Sequence, residues 1–540
     1  MRGLLHQAPL QLSAGGGAVS RLLVAAALLV LLATARQQAG ERPLDGRRGG
    51  RPGRGPVVLP AEVAALQALS VVLGRPTDKG ITVSVLSAEA REGYLEYGTA
   101  AGQYSGKTEA TKFPFGAPVE VLLDGLKRDT RYYYRLQHRK PGEEAFTANP
   151  ERSFCTQRSP GSAFTFEIQG DSHPERAEKM YDPALYARTL LAAAADRPDF
   201  YLTSGDDFSV DTLREINAGT VNAIYLHQRL FLGLVSHSSP VFLVNGNHEQ
   251  AAKCNLDGKP DNVAVWAQNC RNRYFPQPAP DGFYTGDEGK VEHIGLLRDY
   301  YAWTWGDALF AVIDPYWHSD SPVDNAFRPN AGARPRGARD LWEITLGDEQ
   351  YKWLKKTLET SKARYKFVFT HHVNGTGRGG IEQAGLFEWG GRNRRGDDEF
   401  KQKRPGWELP IHQLMARNGV TIFFQGHDHV FVRQKLDGVV YQTLPTPADF
   451  RATLDGEGDD FRGAYRSGDI VAGAGRVRVS VSPEKVRVEY VCSRLAKDAT
   501  EAHPDGEVAF AYEIPAPQQA AQKAPASGTA KQSDAEKQVP

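Results

Sequence analysis

The feature that most constrains the fold is an apolar run that ends directly in polar side chains able to bind metals. Residues 241–244 are apolar and predict a buried strand. Gly246 then allows a sharp turn, and Asn247, His248 and Glu249 follow without a spacer. An amide oxygen, an imidazole and a carboxylate at one strand end are typical of hydrolytic metal chemistry. Taken alone, the segment is explained equally well as a polar loop after a strand.

The same construction recurs along the chain. The apolar runs 164–168, 199–202, 241–244, 310–313, 366–370 and 421–424 lead, in order, into Asp171 and His173; Asp206 and Asp207; Asn247, His248 and Glu249; Asp314; His371 and His372; and His427, Asp428 and His429. In open α/β sheets ligands gather beyond the carboxyl ends of strands, so we expect these side chains to converge on one cleft. Metal ions there would offset the cost of burying so many charged groups.

Helical runs lie between the apolar runs, which predicts an α/β region. One predicted helix begins near residues 346–348 and places Tyr351, Leu354 and Leu358 on one face. Another begins at residues 409–410, with proline at an early helical position, and ends at residues 418–419.

Length and composition set the outer limits. A chain of 540 residues is long enough for two or three domains. Its 65 basic and 65 acidic residues give a formal net charge of zero, so no global electrostatic argument favours nucleic acid as a stable partner. The four cysteines contain no CxxC pair, which argues against a zinc site built on thiolates.

The N-terminus predicts a signal peptide over residues 1–35. Arg2 and Arg21 supply positive charge, residues 22–33 are an apolar run too short for a comfortable membrane span, and residues 33–35 form a small-x-small cleavage site. An uncleaved anchor is the alternative. An Arg-, Gly- and Pro-rich linker follows over residues 36–58. The expected location is periplasmic or secreted, with no membrane span after cleavage.

Export to an oxidising compartment would allow disulfides. Four cysteines allow three pairings. We expect Cys254 to pair with Cys270, which closes a short loop and leaves Cys155 with Cys492.

Residues 60–156 predict a small β domain. Alternating or apolar runs at 81–85, 93–98 and 119–123 are separated by turn residues. Residues 126–135, with Leu126, Thr130 and then consecutive tyrosines, resemble the tyrosine corner of fibronectin type III-like sandwiches. The region carries no cluster of catalytic side chains, so we expect a packing or spacer module. The catalytic domain would span residues 160–514, with a disordered tail over 515–540.

Taken together, these strand ends resemble the calcineurin-like binuclear metallophosphoesterases, and within them the purple acid phosphatase branch. The shared pattern is Asp-x-His, Gly-Asp, Gly-Asn-His-Glu, His-His and Gly-His-x-His in this order, from Asp171 to His429. The resemblance implies two mixed sheets flanked by helices, preceded by the β domain of that branch.

The resemblance also implies a ligand set. The first metal would take Asp171, His173, Asp206 and His429, and the second would take Asp206, Asn247, His371 and His427, with Asp206 bridging both. Oxygen and nitrogen ligands without thiolate suit Fe, Mn or Zn. Water held between two ions about 3.5–4 Å apart would lose its proton near neutral pH and act as the nucleophile.

His248 would be the general acid for the leaving group, with Glu249 orienting its imidazole. A hydrogen-bonding role for His248 and a structural salt bridge for Glu249 are the alternatives. The resemblance implies that His371 is the ligand of its pair, and it leaves His372 open, with a substrate contact as the alternative. We expect Asp428 to pair with a neighbour and Asp207 to cap a loop.

One position departs from the purple branch. That branch has a tyrosine ligand three residues after the bridging aspartate, where this chain has Ser209. His173 supplies the nitrogen that non-purple members use instead, which favours divalent Fe, Mn or Zn.

The sequence therefore predicts an exported metal-dependent phosphatase acting on a small phosphomonoester. A phosphodiesterase or nucleotidase with the same binuclear site is the alternative. A surface binding protein with a degenerate site is the alternative of another class.

Overall fold

The computed structural model describes residues 58–177, 179–324, 340–375, 377–451 and 462–517. The predicted signal peptide, the linker as far as residue 57 and the tail from residue 518 lie outside these ranges. Among the described helices, none combines the length and the apolar character that a bilayer span requires.

The N-terminal region is rich in β-structure. After the short helix α1 (Ala61–Ala65), its strands are β1 (Leu69–Gly74), β2 (Ile81–Ser87), β3 (Arg91–Gly98), β4 (Gly106–Lys107), β5 (Thr111–Phe113), β6 (Val119–Leu123), β7 (Arg131–Arg139), β8 (Thr147–Ala148) and β9 (Arg152–Cys155). One sheet has the order β1-β2-β6, and the other has β4-β3-β7-β8 with β5 on β3 and β9 on β7. These strands pair antiparallel.

Side chains of both sheets share one apolar core, which includes Val83, Leu95, Leu126, Tyr132 and Phe154. The Tyr132 hydroxyl accepts a hydrogen bond from the Lys127 backbone N–H at 2.8 Å. It therefore ties the start of β7 to the backbone a few residues upstream, as a tyrosine corner does.

Two large sheets, one two-stranded sheet and their helices form the rest of the described residues. The strands are β10 (Phe164–Gln169), β11 (Phe200–Thr203), β12 (Val241–Leu243), β13 (Thr285–Gly286), β14 (Lys290–Val291), β15 (Gly295–Leu296), β16 (Tyr301–Trp305), β17 (Ala308–Val312), β18 (Tyr365–Phe369), β19 (Ile422–Gln425), β20 (Phe431–Leu436), β21 (Val439–Thr443), β22 (Asp469–Val471), β23 (Gly475–Val481), β24 (Lys485–Cys492) and β25 (Val508–Pro515). The helices are α2 (Pro183–Asp196), α3 (Ala218–Ser236), α4 (Val263–Tyr274), α5 (Gly347–Thr360), α6 (Ile381–Ala384), α7 (Phe387–Gly390), α8 (Phe400–Lys403) and α9 (Ile411–Arg417).

Both large sheets mix parallel and antiparallel pairs. The six-stranded sheet has the order β12-β11-β10-β23-β24-β25, and β10, β11 and β12 are parallel. The eight-stranded sheet has the order β13-β16-β17-β18-β19-β21-β20-β22, and β17, β18, β19 and β21 are parallel. The expectation of mixed sheets flanked by helices is confirmed.

The two sheets pack face to face because successive side chains in a strand point to opposite faces. In β17, Phe310 and Val312 join the aromatic-rich core between the sheets, whereas Leu309 and Ala311 join the core beneath α5 and α9. The six-stranded sheet divides its residues in the same way, with α2, α3 and α4 on its outer face. The predicted helix near residue 347 is confirmed as α5, with Tyr351, Leu354 and Leu358 buried.

The predicted disulfides are wrong. Cys155, Cys270 and Cys492 are free thiols. Cys270 lies on α4 in the core of the six-stranded sheet's outer face, while Cys254 packs against a separate small cluster around Tyr316. Short separation along the chain therefore does not bring these two side chains together.

A buried arginine joins the N-terminal region to α3. Arg229 donates to the Ser84 carbonyl oxygen at 2.9 Å and to the Ser70 hydroxyl at 3.1 Å, and it also donates to the Tyr274 carbonyl oxygen. Burial lowers its pKa to about 9. Because these acceptors come from β1, β2 and α4, one guanidinium fixes the β-rich region against the larger one.

Candidate metal centre

The predicted ligand side chains meet at one edge of the sandwich. Strands β10, β11 and β12 of one sheet and β18 and β19 of the other end at this edge, and each is followed by ligand-type residues. Six of the seven predicted metal ligands are buried, and His429 is nearly so, with 9% of its side-chain surface exposed. The convergence expected from the sequence is therefore present in the fold.

One group of side chains comprises Asp171, His173 and His429. The Asp171 Oδ2 atom lies 3.1 Å from His429 Nε2 and 3.6 Å from His173 Nε2. The two Nε2 atoms lie 3.1 Å apart. Three donor atoms thus face a common point.

A second group comprises Asp171, Asp206, His371 and His427. The His371 Nε2 atom lies 3.1 Å from Asp206 Oδ2, 2.9 Å from Asn247 Oδ1 and 3.2 Å from His427 Nδ1. The Asp206 Oδ2 atom also lies 3.9 Å from His173 Nε2, so Asp206 reaches toward both groups.

The backbone holds four of these residues in the left-handed region, with φ of 47° at His173, 58° at Asp206, 70° at His427 and 56° at His429. Such conformations are uncommon outside glycine and persist only where the surroundings impose them. Here Asp206 Oδ1 accepts from the His248 N–H at 2.8 Å, and Asp171 Oδ1 accepts from the His427 N–H at 2.7 Å. Each carboxylate thus fixes a neighbouring turn with one oxygen and offers the other to the cluster.

Glu249 does not contact the His248 imidazole, which corrects the expectation for this pair. It accepts hydrogen bonds from the backbone N–H groups of Asp207 and Gly246, both at 2.8 Å. Adjacent residues in a tight turn point in different directions, and Glu249 points into the gap between two ligand-bearing turns. The Glu249 carboxylate therefore links the two turns through hydrogen bonds to their backbone N–H groups.

Asp211 takes the place that Glu249 was expected to fill. Its Oδ1 atom lies 2.7 Å from His248 Nδ1. The other ring nitrogen, Nε2, lies 3.8 Å from Asp206 Oδ2 and 3.1 Å from an Arg176 Nη atom. The sequence analysis missed Asp211 and Arg176. The position of Asp211, five residues after Asp206 in the same loop, was the available signal.

The electrostatics of the cluster are those of carboxylates paired with imidazoles. Burial alone would raise the pKa of Asp206, but the neighbouring His371 and His248 hold it well below its usual range. Burial likewise acts to lower the pKa of His371, yet Asp206 and Asp171 raise it to about 10. Among the described residues, no lysine or arginine forms an ion pair with Asp171 or Asp206. The imidazoles are their counter-charges.

The remaining predicted residues surround the cluster. Asp428 pairs with Arg378 at 3.0 Å and accepts from the Tyr465 hydroxyl at 2.6 Å, so it pairs with neighbours as expected. Asp207 accepts from Ser172 Oγ at 2.9 Å and lies outside the ligand groups. The His372 imidazole joins Asp324 and His427 in a third group beside the second.

The donor set fits metal ions. Two pairs of imidazole nitrogens face each other at 3.1 and 3.2 Å, an arrangement in which each pair needs a proton or a cation between its lone pairs. All predicted ligands are oxygen or nitrogen donors, which suit Fe, Mn or Zn. The geometry is that of a buried metal-binding cluster.

Comparison with known proteins agrees with this geometry. Residues 165–431 match the calcineurin-like phosphoesterase family, and the match covers all five strand ends. The matched region and the buried donor groups together support a calcineurin-like metallophosphoesterase domain in this part of the chain. No curated protein sequence gives a significant match.

Among solved structures, that of PhoD aligns with a TM-score of 0.54 at 14% identity, covering 83% of this chain and 88% of PhoD. This likeness concerns the fold alone. GAP50, the anchor in the inner membrane complex of Plasmodium, aligns with a TM-score of 0.35 at 11% identity over 66% of this chain and 90% of its own. A predicted phosphoesterase from Streptococcus pneumoniae TIGR4 aligns with a TM-score of 0.24 at 10% identity over 66% of this chain and 98% of its own. The overlap of these last two is too limited to describe this fold.

The close approach at Gly246 gives a test of this arrangement. A Cβ atom there would press on the Asp206 carboxylate and would lie 2.7 Å from Glu249 Oε2. Gly246→Ala should therefore lower the free energy of unfolding by about 1–3 kcal/mol, the usual cost of overpacking. Gly406→Ala is the control, since a Cβ there meets nothing within 4 Å. Equal unfolding free energies for the two variants, measured in urea, would contradict the proposed packing of the two turns.

Proposed function

We propose that this chain is a metal-dependent phosphatase that hydrolyses phosphomonoesters at a binuclear site. The observation that carries the proposal is the convergence of two donor groups that share Asp171. Asp206 belongs to one group and reaches toward the other, and the Asp211–His248 pair lies at their edge. A degenerate binding protein would not need this complete set.

The proposed ligand sets build on the two groups, with Asp206 added to the first, and with Asn247 added to and Asp171 left out of the second. Asp171, His173, Asp206 and His429 would hold one ion, and Asp206, Asn247, His371 and His427 would hold the other. When bound, two such ions supply an acidified water and neutralise the charge of the phosphate oxygens. His371 is prepared for this role, because its Nδ1 atom lies 2.8 Å from the Ser204 carbonyl oxygen, which leaves Nε2 for the cluster.

His248 is the proposed general acid for the leaving oxygen. Asp211 lies 2.7 Å from its Nδ1 atom, which orients Nε2 toward the cluster and supports the protonated ring. Asp211 is thus a positioning residue, and it replaces Glu249 in that role.

Two arginines at the edge of the cluster favour a phosphomonoester. Arg176 contacts His248, and Arg378 donates to the His427 carbonyl oxygen at 2.6 Å. Besides burial and neighbouring imidazoles, the charge of Arg378 lowers the pKa of His427 and His429. A monoester carries one more negative charge than a diester near neutral pH, so guanidinium groups at the edge stabilise it more.

A substrate panel tests the proposal. We expect protein reconstituted separately with Fe(II), Mn(II) and Zn(II) to hydrolyse aryl and alkyl monoesters with higher kcat/KM than matched diesters. Arg378→Met should reduce the ratio of monoester to diester kcat/KM, because it should raise KM for monoesters more than for diesters. A higher kcat/KM for diesters would support the phosphodiesterase alternative, and no hydrolysis with any of the metals would contradict the proposed activity.

The leaving group tests His248. His248→Ala should lose about 10²–10⁴-fold in kcat with an alkyl phosphate, the usual contribution of general acid catalysis. The loss should be smaller with a nitrophenyl ester, whose leaving group scarcely needs a proton. Asp211→Asn should reproduce the same dependence on the leaving group more weakly. Equal losses for both esters would show that His248 positions the phosphate instead of protonating the leaving oxygen.

We further propose a relation to the purple acid phosphatase branch without its tyrosine ligand. Ser209 holds the corresponding position, and its Oγ atom lies 2.8 Å from His173 Nδ1, so Ser209 orients the imidazole that would replace the phenolate. A neutral nitrogen in place of an anionic oxygen favours a divalent ion.

We therefore expect the as-isolated protein to show no intense violet band. Tyr316, whose hydroxyl lies 3.4 Å from His372 Nδ1, is a tyrosine beside the cluster, and burial together with Asp206 raises its pKa well above the usual range. A violet band in the visible spectrum would contradict the assignment of His173, and its loss in Tyr316→Phe would identify the phenolate.

Two finer proposals rest mainly on the sequence. The N-terminal β-rich region would be fibronectin type III-like, which its two antiparallel sheets and the Tyr132–Lys127 hydrogen bond support.

Export would follow cleavage after Ala35, and N-terminal sequencing of the mature chain is the test. A small phosphorylated molecule is the proposed substrate, with no nucleic acid as a stable partner.

A further inference from the structure

A second buried cluster lies apart from the predicted ligands. It consists of Asp287 just after β13, Asp299 just before β16, and His318 in the loop after β17. The donor atoms of these three side chains all lie within 4.8 Å of one another. None of the three belongs to the strand ends discussed above.

Asp299, a member of this cluster, has one carboxylate oxygen that meets no donor among the described residues. Its side chain is 0% exposed, and its Oδ2 atom lies 2.9 Å from His318 Nε2. Its Oδ1 atom is buried and has no hydrogen-bond partner among the described residues. A buried carboxylate oxygen without a partner is costly, so the site is built for a group that supplies positive charge.

The charge balance points the same way. Asp287 is buried beside Asp299, and burial together with that neighbour raises the pKa of Asp287 to about 6. Asp314 is buried nearby, and the same two causes raise its pKa to about 6. In the described part of the chain, His318 is the only base that forms an ion pair with any of these carboxylates. One imidazole faces three acidic groups.

The donors are fixed before any ligand arrives. Asp287 Oδ1 accepts from the Gly289 N–H at 2.7 Å, which orients the carboxylate. The His318 ring packs against Tyr300 with a centroid separation of 5.4 Å. His318 keeps 18% of its side-chain surface exposed, which gives a path from solvent.

We propose that Asp287, Asp299 and His318 bind a third divalent cation, separate from the binuclear site. Two carboxylates and a neutral imidazole balance the charge of such an ion, and oxygen with nitrogen donors favours Zn(II) or Mn(II). A proton shared between Asp287 and Asp299 is the competing arrangement, and it satisfies the same oxygens without metal.

The cation would act on structure and not on the reaction. Asp314 accepts from Asn245 Nδ2 at 2.6 Å, and Asn245 precedes the predicted ligand Asn247 by two residues. A cation that relieves the repulsion between Asp299 and Asp314 would stabilise the loop after β17. Through the Asp314–Asn245 hydrogen bond, this loop supports the turn that carries Asn247.

Metal counting tests the proposal. Full-length protein, loaded with Zn(II) or Mn(II) and freed of excess metal, should lose one ion per chain in Asp287→Asn and in His318→Gln. Glu288→Gln removes the same charge from an exposed neighbour and should keep the wild-type count. Unchanged counts in Asp287→Asn and His318→Gln would overturn the site and favour the shared proton.

A second arm separates this site from the proposed function. Asp206→Asn should disrupt the binuclear site and abolish hydrolysis, yet retain one ion per chain and a melting temperature that falls with chelator and recovers with Zn(II) or Mn(II). His318→Gln in this background should abolish both the retained ion and the recovery. If Asp206→Asn retains no ion, the third site is wrong, whatever the activity of the wild type. This arm also decides the question should Asp287→Asn fail to fold.

Discussion

The structure depends on carboxylates that are buried at strand ends and must be compensated there. Asp206 shows the constraint most clearly. One of its oxygens holds the His248 backbone N–H, and the other faces imidazoles that keep the carboxylate ionised. Burial of such a charge is expensive unless partners are aimed at it. The surrounding turns, glycines and strand registers all serve to bring these partners into range.

The two-sheet sandwich makes this possible. Its aromatic core includes Phe166, Phe310 and Phe424, which come from strands of both sheets. Because the strands on either side of this core are packed rigidly, the distances between their carboxyl ends stay fixed. The turns beyond them can then adopt left-handed conformations that isolated peptides would avoid. Gly205 and Gly246 let two of these turns come into contact, since no side chain separates them.

The same physical rule extends beyond the candidate metal centre. Asp314 follows β17 next to the ligand-bearing strands and is held by Asn245 and by two backbone N–H groups. Asp287 has one backbone donor and Asp299 has the His318 imidazole, so these two carboxylates have fewer donors than Asp314. The fold therefore buries two neighbouring groups of acidic side chains at one sheet edge. Different partners compensate the charge of each group.

The sequence by itself determined the strand ends and the types of donor found there. Apolar runs of β-forming residues followed by Asp, Asn or His are local patterns, and local patterns survive in the fold. It also determined the buried face of α5, because helical spacing fixes which side chains lie together. The direction in which a side chain points from a tight turn is not determined by such a local pattern. Only the tertiary structure showed that Glu249 turns away from His248 while Asp211 approaches it.

The same limit applies to contacts between distant segments. Loop length suggested a Cys254–Cys270 bridge, yet packing places these residues in different cores. Nothing along the chain links Asp287, Asp299 and His318, which meet because β13, β16 and the loop after β17 share one sheet edge. The sequence decides which chemical groups follow each strand. The packing of two sheets decides which of those groups touch, because distance between side chains is set by strand order and not by position along the chain.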